Sequence, residues 1–143
     1  MSSTTRALFL GLGLTIAISP ATHADNIRPG QLEFQARCAA CHGIGGLGDG
    51  PVGRLLKTPP PNLALIAQRN GGSFPFERVY DGIDGRAQVA AHGTRDMPIW
   101  GGFYRADMPD EATEEVMDAA EKAAEAEVLA LVFYIGTLQT TQK

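Results

Sequence analysis

Apolar positions recur at three- and four-residue intervals in several stretches of this chain, the spacing of one face of a helix. A first helical segment is expected over Gln31 to Arg37, entered through Pro29-Gly30, where proline suits an opening turn, and carrying Leu32 and Phe34. A second, short one runs from Leu63 to Gln68 and stops at Asn70-Gly71-Gly72. Phe74 to Ile83 forms a third, its stripe made by Phe76, Val79, Tyr80 and Ile83, with Gly82, Asp84 and Gly85 at its end. The last begins after Pro109 with Asp110 as the expected N-cap, runs through Ala- and Glu-rich sequence from Glu111 to Glu127, and continues with Val128, Leu131, Val132, Ile135 and Leu138 as a buried face. The opening of the chain follows another pattern. Arg6 precedes a twelve-residue, largely apolar run from Ala7 to Ile18, and Thr22-His23-Ala24 ends in a small residue, as a cleavable export signal does. That run is well short of the roughly 20 residues needed to span a bilayer. Residues 1–24 are therefore expected to be removed after Ala24, leaving 25–143 as one domain.

Charge narrows the partners. The 143 residues carry a formal charge of −4, which becomes −5 once Arg6 leaves with the signal. That balance disfavours nucleic acid and anionic membrane surfaces. Residues 107–127 hold nine acids against one base, Lys122. This is a docking patch for a basic partner or a solvated helix face, and the second is the simpler reading.

The chemistry concentrates in Cys38-Ala39-Ala40-Cys41-His42. Cys38 and Cys41 stand three apart and His42 four beyond Cys38, so on a helix both sulfurs and the imidazole share one face. C-x-x-C-H is the pattern of covalent haem attachment. Thiol redox chemistry would call for a surrounding βαβ pattern, which the flanks lack, and a structural zinc site would call for more cysteines than the two present. With both sulfurs in thioethers no disulfide can form, and the cofactor takes over the stapling of a small exported domain. Six glycines between Gly43 and Gly53 do not follow the order of a phosphate-binding loop and are expected to let the chain wrap a porphyrin edge.

Gly30, Phe34 and Cys38, spaced by four and four, resemble the N-terminal helix of class I c-type cytochromes, and the likeness extends in family order to the end of the chain. It implies an all-α cytochrome c fold, about four to five helices wrapped around one covalently bound haem c. In that family the glycine lets the last helix cross closely and the aromatic packs at the crossing; Leu131 and Tyr134 match the partner positions. Pro60-Pro61-Asn62-Leu63 resembles the stretch whose proline carbonyl accepts the Nδ1 proton of the haem histidine, so Pro61, or failing it Pro60, is the implied acceptor for His42. Met97 followed by Pro98 matches the methionine loop and is the implied sixth iron ligand opposite His42. His92 is its rival; Met108 lies between Asp107 and Asp110, and Met117 on the acidic helix. Trp100 and Arg95 are candidates to reach the haem propionates, although a buried indole and a solvated arginine explain them equally well. Two departures, the glycine-rich insertion after His42 and a long segment from Gly101 to Glu125, bear on haem exposure and docking.

The resemblance implies a periplasmic, soluble electron carrier with no catalysis of its own, exchanging single electrons with transient protein donors and acceptors. The alternatives are an electron-transfer subunit of a periplasmic dehydrogenase and an open-site haem sensor or peroxidase.

Overall fold

The computed structural model describes residues 24–85, 97–105 and 112–140. The expected signal segment falls almost wholly outside the described residues, as do His92, Arg95, Met108 and Asp110. Among the described residues the regular structure is entirely helical, as the all-α expectation required. α1 (Ala24–Glu33) runs without a break through a π-helical stretch (Phe34–Cys38) into α2 (Ala39–His42). A 3₁₀ turn (Gly53–Leu55) and a second one (Leu63–Leu65) lead to α3 (Ile66–Arg69). α4 (Phe76–Asp84), α5 (Trp100–Arg105) and α6 (Glu114–Thr137) complete the order.

The first helix begins about a turn earlier than Pro29 suggested. Pro29 is the sixth residue of that helix, where it lacks the N–H that would bond to the carbonyl four residues back and its ring crowds that carbonyl, a cost set against the packing of the apolar residues that follow. The start of α6 also differs from expectation. Thr113 is its N-cap, the hydroxyl accepting from the Val116 N–H at 3.4 Å, and Glu114 and Glu115 sit in the first turn where the helix dipole favours acids. α6 then runs 24 residues to Thr137, so the acidic stretch and the apolar stretch are one helix. α5 had no counterpart among the expected elements.

The core forms where the first and last helices meet. Phe34, Ile83, Val128, Leu131, Val132, Tyr134 and Ile135 are its buried centre, with Phe74, Phe76, Val79, Met97 and Trp100 packed against it. Val128, Leu131, Val132 and Ile135 recur at three and four on α6, the spacing of one helix face. At the crossing, Gly30 lies against α6 so closely that a Cβ there would overlap the Ala130 carbonyl. One turn on, the rings of Phe34 and Tyr134 meet at 5.2 Å and 55°. The implied interlock of Gly30, Phe34 and Tyr134 is therefore formed, and Leu131 lies beside it, 1% exposed.

The end of α6 is tied to the opposite side of the molecule. Gln139 accepts from the Ala67 N–H and donates to the Leu63 and Ile135 carbonyls at 2.8 to 2.9 Å, while Thr140 N–H donates to the Ala64 carbonyl at 3.0 Å. These bonds hold the Leu63 turn, and the prolines before it, against the α6 end of the core.

A Gly30→Ala substitution should destabilise the haem-loaded protein by about 1–3 kcal/mol, because backbone must yield to the new methyl, and Phe34→Ala by about 3–5 kcal/mol. Denaturant unfolding followed by far-UV circular dichroism measures both; a neutral Gly30→Ala would show that the crossing has slack the coordinates lack.

Candidate functional site

The C-x-x-C-H residues close the first helix. Cys38 ends the π-helical stretch, and Ala39–His42 is the final turn. The Gly43 N–H then bonds back to the Ala39 carbonyl at 2.8 Å. The wider π-helical turn before Cys38 shifts the register between Phe34, which faces the core, and the cysteines, a kind of distortion that recurs at functional sites. The glycine-rich loop is stitched to this turn: Gly48 N–H donates to the His42 carbonyl at 2.8 Å, Val52 N–H to the Ala40 carbonyl at 2.9 Å, and Leu63 N–H to the Gly46 carbonyl. At Gly48, φ is +82° and a Cβ would overlap the Pro60 carbonyl. Its glycine is thus required by the chain's own backbone, which presses the triple proline against the helix end.

Two adjoining cavities of about 190 Å³ each open beside this turn. Cys38, His42, Pro61, Met97 and Trp100 line both of them, and Cys41 lines the first. The six residues singled out in the sequence therefore surround one cleft. His42 is 7% exposed and its Nδ1 atom is buried. The implied hydrogen bond from that atom to the Pro61 carbonyl is not formed here, although Pro61 lies in the same walls. Met97 approaches from the chain preceding α5 and is half-buried; Met117, its competitor on α6, is 46% exposed and lines neither cavity.

The surroundings of Cys38 do not favour a thiolate. Burial above all, then the charge of Glu33 and the neighbouring Cys41, pushes the Cys38 thiol up to about 12, with Arg37 opposing. A redox-active C-x-x-C needs the reverse, a thiolate near neutrality. Nor do three or more His, Cys, Asp or Glu side chains gather as a metal site among the described residues.

The lining fits a haem. Two thiols and an imidazole stand at the end of one helix, a thioether enters from another segment, and Leu63, Ile66, Val79, Ile83, Leu131 and Ile135 supply dry walls. Arg69 and Arg78 line the second cavity, and Arg37, which is paired with Glu33, the first, while no carboxylate of the described residues lines either. In a chain with an excess of acids this local positive charge suits a ligand bearing two carboxylates. Of the two propionate candidates in the sequence, Trp100 lines both cavities and Arg95 lies outside the described residues. Arg78, directly before the stripe residue Val79 on α4, was the available signal.

These features define a small helical domain with an apolar cleft, beside the crossing of α1 and α6, whose lining fits a covalently held haem. Residues 27–139 match the family described as Cytochrome c, and the chain belongs to that family. Comparison with curated proteins and with solved structures gave no match. Membership implies covalent haem c, and Cys38 and Cys41 are the chain's only cysteines. Among the described residues no helix is long and apolar enough to cross a membrane.

Replacing both cysteines, Cys38→Ala with Cys41→Ala, should make the haem extractable by acidified organic solvent, whereas in the wild type it stays with the chain through extraction and denaturing electrophoresis. Haem retained by the double variant would place the attachment elsewhere.

Proposed function

We propose that the protein is a periplasmic one-electron carrier with a single haem c, held by thioethers to Cys38 and Cys41 and ligated by His42 and Met97. The observation that carries this reading is that His42 and Met97, 55 positions apart in the sequence, line both halves of one cleft together with Cys38, with Cys41 in the first half. When bound, haem supplies exchange of one electron at iron, between the ferric and ferrous states. The residues do the rest. The buried imidazole of His42, at the end of the first helix, would hold the iron, and Met97, from the segment before α5, would hold it through a neutral, polarizable sulfur that favours the ferrous state more than a second imidazole does. With both residues on the iron no site would remain for a substrate, and the chain would carry electrons without making or breaking bonds. The apolar walls exclude water from the iron, and Pro61 and Trp100 complete them. Donor and acceptor are other redox proteins met in brief, small-area contacts. Export follows from the charged, apolar and small-residue pattern of residues 1–24.

The oxidised protein should show a sulfur-to-iron charge-transfer band in the red that disappears in Met97→Ala. If Met97 occupies the iron about 99% of the time, its removal should tighten cyanide binding by about 100-fold, since the competent fraction rises from about 0.01 to one. A wild type that lacks the band and takes up cyanide as readily as the variant would instead be an open-site haem protein, a sensor or peroxidase.

A further inference from the structure

Met97 stands three residues before α5, and the fastening of that short helix sets where the methionine lies. Three contacts hold it. Ile99 fills the space where any side chain on Gly85, the C-cap of α4, would have to go. Arg105, in the last turn, donates to Asp84 Oδ1 at 3.0 Å and to Glu121 Oε1 at 2.9 Å, and its Nε pairs with Glu121 Oε2. The third contact differs from the others in what it joins. Tyr104 donates its hydroxyl to Glu33 Oε1 at 2.7 Å, and the same oxygen accepts from Arg37 Nε. The Arg37 guanidinium then lies 4.5 Å from the Phe103 ring centroid and 6.0 Å from that of Trp100. Trp100, Phe103 and Tyr104 pack on one another at 5.5 to 6.3 Å, so cation, carboxylate and three rings form one cluster.

Glu33 and Arg37 belong to the turns just before Cys38. The cluster therefore ties the segment bearing Met97 to the helix that ends in His42. An isolated exposed Glu–Arg pair four apart would contribute little. This carboxylate is 20% exposed and is shared with a half-buried phenol on another element, which makes it a joint. Burial, and then Glu33, raise the Tyr104 hydroxyl well above its ordinary range, so it stays a donor.

We propose that Glu33 and Arg37 are positioning residues for the sixth ligand, clipping α5 onto the haem-bearing helix so that Met97 stays on the iron. This rests on the reading of Met97 as that ligand. Breaking the clip leaves haem attachment, His42 and the helix crossing in place and raises only the fraction of time that Met97 is away. A competing ligand from solution reads that fraction directly, because its apparent affinity scales with it.

The test is an optical titration of the ferric haem-loaded protein with imidazole, following loss of the red charge-transfer band, with denaturant unfolding of each variant alongside. Arg37→Ala should tighten imidazole binding about tenfold, with Arg37→Lys, which keeps the cation over the rings, recovering part of the difference. Tyr104→Phe, which keeps the ring and removes only the hydroxyl, should give a smaller change. Combined with Arg37→Ala it should give less than the product of the two, since both donors act on one Glu33 oxygen. Lys122→Ala, which breaks the exposed Lys122–Asp118 pair of the same spacing on α6, should leave the affinity at the wild-type value. Wild-type affinity in Arg37→Ala and Tyr104→Phe proteins that retain the band overturns the clip. A wild type without the band overturns the Met97 assignment itself and the clip with it.

Discussion

The close crossing of α1 on α6 is the constraint from which the rest of this molecule follows. Gly30 admits the Ala130 carbonyl where any side chain would hold it off, and Phe34 and Tyr134 fill the angle that the approach creates. Phe34, Leu131 and Ile135, all at this junction, are also walls of the second cavity. The helix crossing and the cofactor cleft are therefore one apolar unit. A change that opens the crossing also wets the cleft, and a dry cleft is what a thioether ligand needs to compete with water at iron.

Around that junction the chain is drawn back on itself by backbone hydrogen bonds. The loop after His42 returns to the carbonyls of Ala40 and His42, Gly46 receives the Leu63 N–H, and Gln139 and Thr140 fasten the end of α6 to the turn at Leu63. The prolines are thereby held in the cavity wall with few hydrophobic residues of their own. On the far side α5 plays the matching part, linked to α4 and α6 through Arg105 and to the first helix through Glu33 and Arg37. Buried ion pairs such as Arg105 with Asp84 contribute modestly to net stability. Their effect is on geometry, because they specify one placement for a six-residue helix that could not hold itself.

What could be read from the sequence was whatever has a fixed spacing. C-x-x-C-H lies within five residues, Phe34 and Gly30 lie about one and two helical turns before it, and the apolar period of α4 and α6 survives in the structure with shifts of a few residues at the ends. Met97 and Trp100 were legible through their family context, and both line the cleft. The N-cap of α6 was misplaced because Asp110 and Thr113 are both good caps, and tertiary packing chooses between them. α5 was missed since Trp100-Gly101-Gly102-Phe103-Tyr104-Arg105 contains two glycines and is too short for the spacing of Trp100, Phe103 and Tyr104 to stand out; its helix depends on Asp84, Glu121 and Glu33, residues 16 to 71 positions away. The charges that line the cleft, Arg37, Arg69 and Arg78, have no common spacing and converge only in three dimensions. Glycines at 43 to 53 pointed to a close approach, and Gly48, Gly50 and Gly53 lie against the chain's own carbonyls at Pro60, Ala40 and Cys41.

The central claim is that two side chains far apart in sequence, His42 and Met97, would both hold the iron of one haem. X-ray absorption at the iron edge of the oxidised wild-type protein tests it most directly. The account predicts one sulfur scatterer among the six iron neighbours, the other five being nitrogens, and loss of that sulfur in Met97→Ala. An iron surrounded only by nitrogen or oxygen, unchanged by the substitution, would contradict it.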